Sequence, residues 1–101
     1  IEAAPAGRDR IEAERLAGKA GQAWDAGDRA LAASLLGEAA ARDPAWTLAL
    51  GDVLYSSGRA FEAEEPYRKA LELLPEDAEE AAQVRERLGM IDDMKARRGR
   101  R

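Results

Sequence analysis

The sequence predicts an all-α protein, because its composition favours helices and almost lacks strand-forming residues. Half of its apolar residues are alanine, 23 in number, and alanine is the strongest helix former. Val, Ile and Thr, which favour strands, number 2, 3 and 1. Glycines, prolines and aspartates divide the chain into five stretches of helical length. We therefore expect five helices joined by short turns.

The first helix is predicted to follow a short leader. Residues 1–8 show no apolar periodicity, and we expect them to be flexible. Asp9 then offers an N-cap with Glu12 three residues later, the spacing of a capping box. The helix is predicted from Arg10 to about Asp25.

Aspartates also mark the next two starts. Asp28 offers an N-cap for a second helix that runs to about Arg42. Asp43 and Pro44 open the third helix, since proline at the first helical position lacks only an N–H that would be unpaired there. This helix is predicted to end at residues 56–58, Ser-Ser-Gly.

The fourth helix is predicted from about Ala60 to Leu74. Pro66 lies inside it and removes a backbone hydrogen bond, so we expect a kink or a late start. Asp77 and Glu80 form a second capping box, which opens the fifth helix.

The chain matches itself at a shift of 31 residues. The matched pairs are Ala20 with Gly51, Gly27 with Gly58, Ala32 with Ala63, Ala39 with Ala70 and Pro44 with Pro75. Small residues where two helices cross let their backbones approach, so Gly51 is predicted to be a packing residue. The chain is therefore interpreted as two copies of a helix pair followed by one extra helix.

These positions resemble the tetratricopeptide repeat, whose pattern is Trp-x2-Leu-Gly-x2-Tyr, Ala-x3-Phe, a further Ala and a closing Pro. The second copy meets it at Leu50, Gly51, Ala63, Tyr67, Ala70 and Pro75, and the first copy keeps Ala20, Ala23, Ala32, Leu36, Ala39 and Pro44. The period of 31 is shorter than the family's, and Trp46 lies one residue too early. The resemblance implies an α-α superhelix in a domain over 9–94, with repeat one over about 9–44, repeat two over about 45–75 and a capping helix over about 77–94. The run of basic residues over 95–101 is interpreted as a separate tail.

The composition argues against catalysis. The chain contains no Cys and no His, so most activated nucleophiles and metal sites are ruled out. Carboxylates cluster at 62–65, 79–80 and 92–93, but charge runs on helices are usually solvated faces. We expect no catalytic residue, no metal and no cofactor.

The basic tail allows two interpretations. It holds Lys95, Arg97, Arg98, Arg100 and Arg101 in a chain whose net charge is −4. It could contact nucleic acid or an anionic membrane, but no aromatic residue accompanies it and the remainder of the chain is acidic. We favour a basic helix end that complements the helix dipole, and we expect neither nucleic acid nor a membrane as partner. No apolar run approaches the length of a membrane span, which favours a cytoplasmic protein.

The resemblance also implies a concave groove lined by the first helix of each pair. Its residues would be Glu14, Ala17, Gly21, Trp24, Asp25, Ala45, Leu48, Asp52, Tyr55, Ser56, Glu79, Ala82, Glu86 and Met90. For Trp24 and Tyr55, burial in the core is an equal alternative. The lining is acidic and apolar, so the partner is expected to be a basic and apolar protein segment. The family's clamp for acidic chaperone tails is excluded, because the chain has no Asn and has Ala17, Gly21 and Ala49 at the clamp positions.

Three functions follow as hypotheses. The leading one is a non-catalytic protein-protein interaction module, part of a larger bacterial protein, as the start at Ile1 and the Arg-rich, Asn-free composition suggest. The second is a structural or oligomerisation element, because two repeats are fewer than such arrays usually need and an exposed apolar end could pair with a second copy, as a homodimer, or with a neighbouring domain. The third is an accessory domain of an enzyme whose catalytic part lies elsewhere.

Overall fold

The computed structural model describes residues 7–99, and over this range the protein consists of helices without a strand. The helices are α1 (Gly7–Asp25), α2 (Arg29–Arg42), α3 (Thr47–Ser56), α4 (Ala60–Leu73) and α5 (Glu79–Gly99). A short 3-10 turn, Pro44–Trp46, precedes α3. The predicted all-α class with five helices is confirmed.

Two predicted aspartate caps are present. The Asp28 carboxylate accepts a hydrogen bond of 3.1 Å from the N–H of Leu31, which satisfies a donor in the first turn of α2. The Asp43 carboxylate accepts one of the same length from the N–H of Ala45. Pro44 directly follows this cap, but the turn that it begins is a 3-10 turn, so α3 itself starts at Thr47.

The turns α1–α2 and α3–α4 are alike at positions 31 residues apart. Gly27 and Gly58 have positive φ angles of 87° and 81°, which glycine adopts without the steric penalty of a Cβ. After them, Asp28 N–H donates to the Ala23 carbonyl at 2.8 Å and Arg59 N–H to the Leu54 carbonyl at 2.9 Å. The sequence repeat therefore appears in the backbone of both turns.

The capping box predicted at the start of α1 is wrong. This helix begins at Gly7, so Asp9 lies inside its first turn. Glu12 instead accepts from the Arg15 guanidinium at 2.6 Å, one turn further along the helix. The last two residues of the predicted leader are thus helical, and residues 1–6 lie outside the described part of the chain.

The observed bounds of α4 agree with the prediction to within one residue, whereas α5 starts later than predicted. The first runs from Ala60 to Leu73 with Pro66 inside it, so a late start is excluded. In α5, the N–H of Ala82 donates to the Ala78 carbonyl. The N-cap of α5 is therefore Ala78, and not the predicted Asp77.

The helices pack as two antiparallel pairs, α1 with α2 and α3 with α4, while α2 contacts α3 and α5 contacts α4. The larger apolar cluster joins helices α2 to α5 and the smaller joins α1 and α2. The larger has buried Ala33, Leu54, Ala63, Tyr67, Val84 and Ile91, and the smaller has Ala13, Leu16 and Ala39. The side chain of Trp46, from the 3-10 turn, packs against the smaller cluster.

Gly51 lies where α3 crosses α4. A Cβ at this position would come within 2.7 Å of Cδ1 and 2.8 Å of Cε1 of the Tyr67 ring. The Tyr67 side chain is completely buried, so the ring has no open space to enter. The absence of a side chain at residue 51 is therefore what permits this helix crossing, as the sequence predicts.

Gly51→Leu is expected to lower the free energy of unfolding by about 2 kcal/mol or more, because the added atoms overpack the crossing. Gly51→Ala should also destabilise, by a smaller amount. The matched control is Gly18→Ala in α1, where an added Cβ meets nothing within 4 Å. There, alanine should stabilise by about 0.5–1 kcal/mol through its higher helix propensity. Urea unfolding followed by circular dichroism measures these changes, and equal effects of the two alanines would contradict the packing role.

Candidate functional site

A polar cluster joins α3, α4 and α5 beside the larger apolar cluster. The buried Tyr67 of α4 donates its hydroxyl proton to Asp52 Oδ1 of α3 at 2.6 Å. Arg87 of α5 donates through Nη1 to the Tyr67 hydroxyl oxygen at 2.6 Å and to Asp52 Oδ1 at 2.9 Å. Each polar group in this triangle is paired, which offsets the cost of removing the tyrosine hydroxyl from water.

The triangle changes the acidity of two of its members. Burial raises the pKa of Tyr67 well above its usual value, and the hydrogen bond to Asp52 raises it further, while Arg87 opposes the change. The pKa of Arg87 is also raised, chiefly by its hydrogen bond to Tyr67 and in addition by the nearby Asp52 carboxylate. The tyrosine therefore stays protonated and the arginine charged throughout the physiological pH range.

Tyr55 and Met90 extend this cluster to the surface. The Arg87 guanidinium lies over the Tyr55 ring, 4.8 Å from its centroid, in a cation–π contact. The Tyr55 hydroxyl donates to Met90 Sδ at 3.2 Å, across from α3 to α5. We call Asp52, Tyr55, Arg87 and Met90 the α3–α5 surface. It unites three of the residues that the sequence predicts for the groove.

Trp24 lies at a second junction, between the end of α1 and the end of α3. The Arg29 guanidinium is 4.6 Å from the centroid of the Trp24 ring and also donates to the Ser56 carbonyl at 3.4 Å. Trp24 and Tyr55 are both half-buried, so neither is wholly core or wholly surface. Tyr55 in particular packs against the larger apolar cluster while part of it stays exposed.

The other predicted groove residues divide into two groups. Leu48 packs against the larger apolar cluster and Ala17 against the smaller one. The remaining eight are exposed, and four of them are the small residues Gly21, Ala45, Ser56 and Ala82. The other four are carboxylates, and over residues 7–99 no salt bridge involves them. They are Glu14, Asp25, Glu79 and Glu86. These carboxylates add negative charge to the predicted groove, but they form no ion pair that would hold its helices together.

Sequence reasoning missed Arg87, and with it the basic group at the centre of the α3–α5 surface. It selected the neighbouring Glu86, which is exposed. The sequence does contain a signal for Arg87 as a groove residue. It precedes the predicted groove residue Met90 by three positions, and residues at that spacing share a helix face. The groove was predicted to have only acidic and apolar residues in its lining. This prediction is corrected, because Arg87 pairs with Asp52, one of the predicted carboxylates.

The predicted basic tail is in part a segment of α5, which continues to Gly99. Lys95 forms an ion pair with Glu64 of α4. The Arg98 guanidinium lies 5.2 Å from the centroid of the Phe61 ring. The preferred interpretation as a basic helix end agrees with this geometry over residues 95–99, and residues 100–101 lie outside the described range.

Between residues 7 and 99, no three or more His, Cys, Asp or Glu side chains are grouped so that they could hold a metal ion. In the same range no helix is long and apolar enough to cross a membrane. No protein-family model matches the chain, and no curated protein and no solved structure is detectably similar to it. Membership of the tetratricopeptide repeat family thus stays a prediction from the sequence.

Tyr67 should make stability depend on pH in the alkaline range. Because its pKa is higher in the folded than in the unfolded chain, its contribution is complete below the unfolded value of about 10 and is lost as the pH rises above it. The free energy of unfolding should fall by about 1.4 kcal/mol for each pH unit in that range. Tyr67→Phe should lack this part of the slope. Urea unfolding of both proteins at several pH values measures the difference, and parallel curves would contradict the buried, hydrogen-bonded hydroxyl.

Proposed function

We propose that this protein is a non-catalytic interaction module of tetratricopeptide type, which binds a segment of a partner protein on the side formed by α1, α3 and α5. The α3–α5 surface is the observation that carries this proposal. It keeps 47% of Met90 and 45% of the Asp52 side chain exposed beside a half-buried aromatic ring. Aromatic and methionine side chains are enriched in protein interfaces, where they provide apolar area at few positions.

The charges around this surface favour a basic, apolar partner. Glu79 and Glu86 lie exposed on α5, and Glu14 and Asp25 lie exposed on α1. Such carboxylates steer a positively charged segment toward the surface and discourage acidic ligands or nucleic acid. We propose the cytoplasm as the setting for this encounter.

A second candidate function, self-association, is favoured by a different place in the fold. An open apolar groove of about 460 Å³ lies between the 3-10 turn and the end of α4. It is lined by Asp43, Pro44, Ala45, Leu48, Ala70, Leu73 and Leu74. Leu73 is 57% exposed there. Exposed apolar surface of this kind could pair with a second copy of the chain.

Peptide binding tests the leading proposal. A labelled helical peptide with leucines on one face and arginines on the other should bind the wild-type protein, as measured by fluorescence anisotropy at low salt. Glu86→Lys should weaken binding by about fivefold, the limit for an exposed charge pair. Glu38→Lys makes the same charge change on α2 and should alter the Kd less than about twofold. Equal effects of the two variants would place recognition elsewhere. Asp52 is unsuitable as the probe, because it also holds Tyr67.

Light scattering tests self-association. The leading proposal predicts a monomer at tens of micromolar protein. A dimer that Leu73→Glu converts to a monomer would establish the second function instead, since a carboxylate cannot be buried in an apolar contact without a partner. Glu72→Gln, at an exposed neighbouring position, is the control and should leave the molecular mass unchanged.

A further inference from the structure

The α3–α5 surface has the chemistry of a binding site for one particular cation. Resting on the function proposed above, we propose that Asp52 and Tyr55 form a guanidinium site, which Arg87 occupies in the free chain and an arginine of the partner takes on binding. The recognised feature of the partner is therefore an arginine side chain, and not positive charge alone.

The contacts of Arg87 are those that a ligand arginine would make. Its guanidinium lies 4.8 Å from the centroid of the Tyr55 ring and donates to Asp52 Oδ1 at 2.9 Å. A planar cation that stacks on an aromatic face and also donates in its own plane to a carboxylate uses both properties that distinguish arginine. The contact of Arg87 with Asp52 and Tyr55 therefore indicates that the site binds a guanidinium group.

The site is accessible from solvent. The Arg87 side chain keeps 26% of its surface exposed, and the Asp52 side chain keeps 45%. The pair is partly buried, and an incoming arginine offers Asp52 the same charge-assisted hydrogen bond that Arg87 gives up, so the exchange replaces one contact by its equivalent. The exposed Met90 beside the ring gives the aliphatic part of a ligand side chain an apolar surface.

The buried part of the cluster does not depend on Arg87 alone. When Arg87 leaves, the Tyr67 hydroxyl still donates to Asp52, so the buried tyrosine keeps a hydrogen-bond partner. The charged neighbours of Arg87 on α5 are Arg85, whose guanidinium donates to the Glu76 carbonyl, and Glu86, which is exposed. Exchange of one guanidinium for another therefore leaves the packing of α3 against α4 intact.

Lysine should be a poorer ligand than arginine. An ammonium group is a compact, strongly hydrated charge, and it cannot stack on the Tyr55 ring while donating in a fixed plane to the carboxylate. Removal of Arg87 should consequently improve the binding of arginine peptides more than that of lysine peptides. A general change in net charge would improve both to the same extent.

The test compares Arg87→Gln with Arg85→Gln. Both substitutions remove one positive charge from α5, and Arg85 is exposed, with its guanidinium on the Glu76 carbonyl and away from the site. The probes are two amphipathic helical peptides of identical apolar face, one carrying arginines and the other lysines. We expect Arg87→Gln to bind the arginine peptide about fivefold more tightly than the wild type and the lysine peptide less than about twofold more tightly. Arg85→Gln should improve both peptides equally and by less than about twofold.

Three results would overturn the inference in different ways. Equal gains for both peptides in Arg87→Gln would leave only a net-charge effect, and no gain would make Arg87 a purely structural contact. Either result disproves the guanidinium site while the proposed function stands, provided that the wild type binds. If neither the wild type nor any variant binds either peptide, the proposed function fails and the inference fails with it.

A measurement on the wild type covers the case in which Arg87→Gln does not fold. Saturating arginine peptide should shift the Arg87 Nε–H resonance toward that of a solvated guanidinium and move the Tyr55 ring resonances, as seen by NMR. The Arg85 Nε–H resonance is the internal control and should move little. An Arg87 resonance unchanged at saturation would show that Arg87 is not displaced, and this would overturn the proposal.

Discussion

The close approach of α3 to α4 at Gly51 is the constraint on which the rest of the structure depends. Because residue 51 has no side chain, the Tyr67 ring can lie directly against the α3 backbone. From that position its hydroxyl reaches Asp52, the next residue of α3. The Tyr67 hydroxyl oxygen and Asp52 Oδ1 both accept hydrogen bonds from Arg87, and these bonds hold α5 in place. A packing requirement in the core thus fixes the position of charged groups at the surface.

The coupling of core to surface follows from the cost of burying a hydroxyl. A phenylalanine at residue 67 would fill the same space, but it would leave Asp52 and Arg87 without their buried partner. With tyrosine, the polar triangle gains directional hydrogen bonds in a region of low dielectric, where they are stronger than in water. The single side chain of Tyr67 therefore serves the apolar cluster with its ring and the candidate site with its oxygen.

Local signals in the sequence predicted those parts of the fold that local contacts determine. The caps at Asp28 and Asp43 and the glycine turns depend on hydrogen bonds within a few residues, and they are visible in the sequence. The start of α1 was misplaced because Glu12 pairs with Arg15 along the helix, which competes with the predicted capping box. Arg87 was missed for another reason. Its partner Asp52 is 35 residues away, and their pairing depends on how α5 lies against α3 and α4.

The position of α5 links stability to recognition. Its basic end is held by Lys95 on Glu64 of α4, and its middle by Arg87 on Asp52 of α3. Both attachments are partly exposed, since Lys95 and Glu64 keep 50% and 15% of their side-chain surface exposed, and Arg87 and Asp52 keep 26% and 45%. They differ in chemistry, because the guanidinium at Asp52 also lies over the Tyr55 ring, so a ligand arginine can make there the contacts that Arg87 makes. A partner that supplies its own guanidinium would then take over one contact of α5 while the basic end keeps the helix in place.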